Sequence, residues 1–445
     1  MKDTFARPHV AGRLNDFINK INESKDVLIL SGARQIGKST LLDHLTRGRP
    51  RLFLNLEQKR DLADKINRCE EFSDFESLLA DEFNFNPARQ ILIIDEAQCA
   101  PQLGLFVRFM KEEWKSATVI LTGSLIAEMN VRNSRAPVGR ETHLEMWPMS
   151  FKEFLLAHKK KSLFKALQQY HLGDTFSQSL HERLVEHFDL YLKVGGLPEI
   201  VQYQLQGRDY KKRRFDLLKT YEDDFVRYFS LDQVNLFQRC LNAVAVNIGS
   251  PSKDSQAVRM DSPGYKKVAD IYARLEEWKL FIKCEQLTVE PEQNKFHPKR
   301  YFYDVGMLGD LRLKGVETLH LRDLSHPILR THLGGIIENA VALSLRRQFG
   351  ESLFGIKLSH QTEVDFGVKE GDLVFPIECK MSVRFKRNFL PSLAHYLKTY
   401  TTHGRGFLFY GGPPIAEPIP GVFVLPYYLA DELQRLIRDR IKTPT

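Results

Sequence analysis

The chain is poor in cysteine. Its 445 residues hold five, Cys69, Cys99, Cys240, Cys284 and Cys379, an odd and scattered set without a C-x-x-C pair. That argues against a disulfide framework or a structural zinc site and points to a reducing interior. No stretch of about 18 apolar residues occurs, so no membrane partner is expected. The N-terminal MKDTFARPHVAGRL is charged and lacks the apolar core of a signal peptide, so a cytoplasmic location is expected. Internal repeats, low-complexity tracts and an N-K-x-D base-reading motif are also missing, the last of which disfavours guanine specificity. What is present is the 43% hydrophobic and 27% charged mixture of a chain that buries a core, which excludes wholesale disorder. Lys+Arg exceed Asp+Glu by 64 to 56, a net charge of +8. So small an excess permits a polyanion partner without requiring one.

At roughly 100–200 residues per domain, the length allows about two to four domains. VLIL (27–30), RLFLNL (51–56), ILII (91–94) and TVIL (118–121) are short, β-branched apolar runs between amphipathic stretches, the pattern of buried parallel strands in an α/β layer. From Phe151 to about Arg227 the pattern is helical, broken at Gly195-Gly196-Leu197-Pro198. After about residue 320 the strand-like alternation returns.

The strongest motif is Gly32-Ala33-Arg34-Gln35-Ile36-Gly37-Lys38-Ser39, followed by Thr40. It fits G-x-x-x-x-G-K-[ST], with a strand-like run before it and a helical run after it. Backbone N–H groups of such a loop and the helix N-terminus cradle phosphates. Lys38 is expected to reach the β- and γ-phosphates of ATP, and the Ser39 hydroxyl to ligate Mg2+. Downstream, Ile91-Leu92-Ile93-Ile94 runs into Asp95-Glu96, an apolar strand ending in two acids. Asp95 is expected to hold the magnesium and Glu96 to polarise the attacking water. A further strand ends in Thr122-Gly123-Ser124, so that Thr122 or Ser124 is placed to contact the γ-phosphate or the water, unless ordinary turn chemistry accounts for them. Among Arg132, Arg135 and Arg140, Arg140 is the best candidate for a guanidinium acting in cis or from a neighbouring subunit, which leaves a homo-oligomer open.

GARQIGKST, ILIIDEAQ, ILTGS, VGR and WPMSFKEF occur in this order, followed by YLKVGGLPEIV, KRYFYDVGML and IECK. Over about residues 10 to 410 the chain thus resembles the prokaryotic AAA-type (archaeal-ATPase-like) proteins that carry a C-terminal domain of unknown function. The resemblance implies an α/β chain with a P-loop AAA+ ATPase core (1–150), a helical lid (151–230) and a winged-helix-like segment (231–320). It further implies a C-terminal PD-(D/E)XK nuclease-like α/β domain (321–430), leaving a tail at 431–445. Arg140 falls on the family's Gly-Arg element.

In the middle region, Val268, Ile271, Leu275 and Trp278 recur at helical spacing, and KRYFYDV (299–305) reads as a strand, together suggesting a helix-turn-helix with a wing. Such a fold contacts DNA or protein. The basic runs Lys159-Lys160-Lys161 and Lys211-Lys212-Arg213-Arg214 could meet phosphates or be solvated helix faces.

Residues 362–368 and 374–380 alternate around Lys369-Glu370-Gly371-Asp372. With Gly371-Asp372 as a two-residue loop, Glu370 faces Leu373, Asp365 faces Glu378 and Glu363 faces Lys380. Two carboxylates so close repel unless a cation or proton intervenes. Mg2+ held by Asp365 and Glu378, with Lys380 beside it, is one resolution; a solvated sheet face of mixed charge is the other. Glu338, in a helix-like run on the side of Val341 and Leu345, is a candidate third acid. The expected function is a Mg2+-dependent ATPase coupled to a nuclease-like domain acting on DNA, with RNA not excluded. The alternative is an ATP-controlled switch that binds a protein or nucleic acid without cutting.

Overall fold

The computed structural model describes residues 5–20, 26–124, 141–228, 230, 233–262, 264–288, 296–313, 320–358, 362–401 and 404–442. They form two compact units, Met1–Trp147 with Glu277–Lys279, and Pro148–Glu276 with Leu280–Thr445.

The first unit is built on a parallel sheet of β1 (Val27–Ser31), β2 (Arg51–Asn55), β3 (Ile91–Asp95), β4 (Val119–Gly123) and β5 (Glu141–Glu145) in the order β2-β3-β4-β1-β5. Four of these strands carry the apolar runs. The fifth, Glu-Thr-His-Leu-Glu, is polar and buries only Leu144. In β3 and β4 every residue is buried, as both faces of a parallel sheet require. The helices are α1 (Pro8–Asn19), α2 (Lys38–Thr46), α3 (Arg60–Arg68), α4 (Phe72–Phe83) and α5 (Leu103–Glu112). Phe72 and Phe75 of α4 meet Phe106 of α5 and Trp114 at ring separations of 5.1–6.1 Å, each such pair adding about 0.5–1.5 kcal/mol beyond its burial. The parallel register brings the carboxyl ends of β1, β3 and β4 to one edge, with β4 between the other two.

The second unit begins with α6 (Phe151–Ala157), α7 (Lys161–Gln168), α8 (Gln178–Val194), α9 (Pro198–Leu205) and α10 (Tyr210–Tyr228). The glycine break after α8 is structural. Gly195 has φ 83°, and a Cβ there would lie 2.4 Å from Asp304 Oδ1; Gly196 N donates to Asp304 Oδ2 at 2.7 Å. Next come α11 (Val234–Val246), α12 (Tyr265–Glu277), β6 (Phe281–Cys284), β7 (Gln286–Thr288), β8 (Lys299–Phe302) and α13 (Val305–Arg312). β6 pairs antiparallel with β8, whereas β7, one residue further on, pairs in parallel with β9 (Leu353–Lys357) of the end region.

The end region holds α14 (Pro327–Phe349), β10 (Glu363–Glu370), β11 (Leu373–Cys379), α15 (Pro391–Tyr400), β12 (Gly406–Tyr410), β13 (Ile415–Ile419), β14 (Val422–Pro426) and α16 (Leu433–Lys442). Its sheet runs β13-β14-β12-β11-β10-β9-β7. Among the described residues, the expected segments 231–320 and 321–430 share this sheet, because β7 is one of its strands. The expected tail at 431–445 is corrected as well. Leu433, Leu436 and Ile437 recur at helical spacing and are buried, and Asp431, before α16, accepts from Phe151 N at 2.9 Å and pairs with Arg347. Within the run 211–214, Arg214 is buried against Asp310 and the carbonyls of Lys193 and Val194, and Arg213 pairs with Glu199. Half of that basic cluster is therefore structural.

Candidate functional site

β1 ends at Ser31 and α2 starts at Lys38, so residues 32–37 form the loop between a buried strand and a helix N-terminus. Gly32 has no room for a side chain, since a Cβ would lie 2.2 Å from Met146 O. Gln35 and Gly37 take positive φ of 61° and 91°. Arg7 braces the loop from behind, donating to Ile36 O at 3.2 Å and Trp147 O at 2.5 Å.

The Lys38 ammonium is buried inside its own loop, donating to Gly32 O at 2.8 Å and Ala33 O at 2.9 Å. Burial pulls it down to about 8, against the pull of Glu96 and Asp95. Asp95, at the end of β3, is 1% exposed. Its Oδ2 accepts from Ser39 Oγ at 2.7 Å and Asn55 Nδ2 at 2.9 Å. Its Oδ1 is buried without a hydrogen-bond partner among the described residues. Burial raises the Asp95 carboxyl above the usual range, opposed by the Ser39 hydrogen bond. An orphaned carboxylate oxygen next to a serine hydroxyl is the donor set that a hard divalent cation satisfies, so the residues present fit Mg2+.

Glu96 follows in a left-handed conformation, φ 53°, and its Oε2 accepts from Gln98 Nε2 at 2.5 Å. Thr122 donates its hydroxyl to Leu30 O at 2.9 Å, tying β4 to β1. Ser124 accepts from Arg34 Nε at 3.4 Å. Arg140, with Arg132 and Arg135, lies outside the described residues. Asn55 and Gln98 are the residues missed from sequence. The register Asn55↔Asp95 across β2 and β3 explains the first, and its only sequence signal was a polar residue closing an apolar strand.

Residues 24–155 match the family model of an AAA domain. Residues 185–318 match that of a domain of unknown function. A protein of Haemophilus influenzae described as uncharacterized is 22% identical over 408 residues, 86% of this chain and 90% of that one. Another of that description, from Methanocaldococcus jannaschii, is 26% identical over 193 residues, 40% of this chain and 39% of that one. Among solved structures, the Walker-type ATPase of Pyrococcus abyssi shares 17% identity at a TM-score of 0.44, covering 70% of this chain and 97% of that chain. The AAA-domain match and the loop geometry support an ATP-binding ATPase. Among the described residues no helix is long and apolar enough to cross a membrane.

The second unit carries the acids. β10 and β11 pair with Glu370 opposite Leu373 and Phe366 opposite Ile377, which puts Asp365 and Glu378 next in line. The register between β10 and β9 shifts between Val364 and Gly367, the stretch that contains Asp365. Asp365 Oδ2 accepts from Cys379 N at 2.8 Å. Glu378 is buried and ion-paired through Oε1 with Lys380, while its Oε2 has no partner among the described residues. Burial and Asp365 push Glu378 up to about 8. Glu338 accepts from Tyr301 OH at 2.9 Å, and desolvation with Asp365 nearby raises it to about 7. Gly249 lets that carboxylate approach, since a Cβ there would lie 2.3 Å from Oε2.

Sequence reading missed the cation in this cluster. Lys299 of β8 is 1% exposed and donates to Glu363 Oε1 at 3.3 Å. Burial alone would lower its pKa, but Asp365, Glu338 and Glu363 outweigh that and raise it. Lys357 pairs with the other oxygen of Glu363. Among the described residues no three acidic, histidine or cysteine side chains are grouped to hold a metal ion. Lys299, Lys357 and Lys380 lie among the four acids Glu338, Glu363, Asp365 and Glu378, and Glu378 Oε2 is left without a partner among the described residues.

Proposed function

We propose that the chain is a magnesium-dependent ATPase. The observation that carries this reading is the unpartnered, buried Asp95 Oδ1 beside Ser39, at the carboxyl edge of the sheet next to the P-loop. In it, residues Gly32 to Thr40 wrap the phosphates and Lys38 leaves its two loop carbonyls for the β- and γ-phosphate oxygens. Ser39 and Asp95 would hold Mg2+, which supplies charge neutralisation between the phosphates. Glu96 takes the proton of the water whose oxygen bonds to the γ-phosphorus as the bond to the ADP oxygen breaks. Arg140 is assigned the developing charge, in cis or across a subunit interface. ATP turnover tests the reading: Lys38→Ala should abolish binding, whereas Glu96→Gln should bind ATP and lose about 10²–10⁴-fold in kcat. Equal turnover by Glu96→Gln and wild type would sink it.

For the second unit, the ion pairs of Lys299 and Lys357 with Glu363 and of Lys380 with Glu378 favour the reading in which nucleotide state controls binding of a protein or nucleic acid without cleavage. The coupled-nuclease reading rests on the hairpin that aligns Asp365, Glu378 and Lys380. Incubation with plasmid DNA, single-stranded DNA and RNA, with Mg2+ or Mn2+ and with or without ATP, separates the two. Cleavage that disappears in Asp365→Ala would establish the nuclease; no cleavage under any metal supports the switch.

A further inference from the structure

We propose that the Gln98 carboxamide works with Glu96 to hold the attacking water, a proposal that rests on the ATPase reading above. Three observations converge on this side chain. First, Glu96 leaves β3 in a left-handed conformation and opens a tight 3-10 turn, Ala97–Cys99, that carries Gln98 back toward the strand ends. Backbone strain of this kind costs about 1–3 kcal/mol and persists only where the surroundings impose it. Second, Gln98 Nε2 donates to Glu96 Oε2 at 2.5 Å. The carboxylate is thereby fixed by an amide, which orients it without taking its charge. Because an amide nitrogen cannot accept, this bond also settles which end of the carboxamide is the oxygen.

Third, that oxygen, Gln98 Oε1, is buried and makes no hydrogen bond among the described residues. It lies over Gly123, the last residue of β4, so closely that a Cβ on Gly123 would sit 2.0 Å away. β4 is the strand between the P-loop strand and the strand bearing Asp95, so Gln98 lies against the carboxyl edge of the sheet beside the P-loop. A water aimed at phosphorus has two protons to place. Glu96 accepts one and receives it as the new O–P bond forms; the second needs another acceptor, or the water rotates out of line. An unpaired buried carbonyl costs about 1–3 kcal/mol until something donates to it, and the attacking water is that donor.

The test uses the full chain with ATP and Mg2+. Gln98→Ala should bind a fluorescent ATP analogue within about threefold of wild type while kcat falls between about tenfold and a hundredfold, as misplacement of about 1 Å does elsewhere. Gln98→Glu keeps an acceptor but loses the donor to Glu96, and should lose kcat as well. Gly123→Ala leaves Gln98 in the chain but pushes its oxygen aside, and should reproduce the same split between kcat and binding. Gln98→Ala with kcat within about threefold of wild type, or with kcat and ATP binding falling together, overturns the proposal. The outcome in which wild type turns over ATP no faster than Glu96→Gln overturns the ATPase reading itself and is distinct from both.

Discussion

Replacing Lys299 by methionine keeps an unbranched side chain, one heavy atom shorter, and deletes one positive charge from among Glu338, Glu363 and Asp365. The side chain is 1% exposed, so water cannot substitute for the ammonium. Removing one partner of a buried pair costs about 3–5 kcal/mol, because the remaining charge stays desolvated. The lower half of that range applies here for two reasons. Lys357 still pairs with Glu363, and Glu338, already raised to about 7, can shed its charge by taking a proton. About 3 kcal/mol lowers the melting temperature of a unit this size by roughly 5 °C. The sign with pH follows from the acids. Without Lys299, which holds both down, the Glu338 carboxyl rises further above its ordinary value and the Glu363 carboxyl rises as well, so the folded state binds extra protons. The penalty is complete above the raised values and shrinks as pH falls toward 5. Scanning calorimetry at pH 8 and pH 5.5 reads both, and adding Glu363→Gln to the methionine variant should recover part of the loss. A methionine variant within about 0.5 kcal/mol of wild type at pH 8, or one equally weakened at both pH values, would refute the assignment of Lys299 as the cluster's counter-charge.

Three more outcomes are expected. Asn55→Ala removes one of the two donors on Asp95 Oδ2 and should weaken the Mg2+ dependence of ATP turnover about 10–100-fold; an unchanged Mg2+ titration would show that Ser39 alone orients the carboxylate. Lys38, held near 8 in the nucleotide-free loop, becomes fully protonated against phosphates. ATP binding should therefore take up a proton fraction at pH 8.5 and almost none at pH 6.5, and calorimetric enthalpies that do not depend on buffer at pH 8.5 would contradict this. Leu436→Ala in α16 should cost about 2–4 kcal/mol in chemical denaturation, whereas a solvated tail would lose nothing measurable.

What could be read in advance divides along physical lines. The P-loop was legible because phosphate binding needs glycine at fixed offsets between a strand and a helix, and four strands were legible because each carries a short run of apolar residues bounded by polar ones. The β10–β11 register follows from a count outward from Gly371, whose φ of 61° suits a tight turn. Asn55, Gln98 and Lys299 were not legible. Asn55 and Lys299 each act on a residue brought close only by packing, Lys299 on Glu363 64 positions away, whereas Gln98 reaches Glu96 two positions back only because Glu96 takes a left-handed conformation. β5 escaped because Leu144 is its one apolar residue, and α16 because the polar residues around Leu433, Leu436 and Ile437 mask its inner face.

The strand that changes partners at Glu285 bears on how this chain can be cut or shuffled. β6 and β7 are one extended stretch, yet the first closes a hairpin and the second finishes a seven-stranded sheet. A protein fragment ending at residue 320 would carry β7 with no strand to lie against, and the complementary fragment would begin with the edge of β9 laid bare. Open edges recruit other strands and aggregate. Inheritance by recombination meets the same barrier, so the two regions on either side of residue 320 should be gained and lost together.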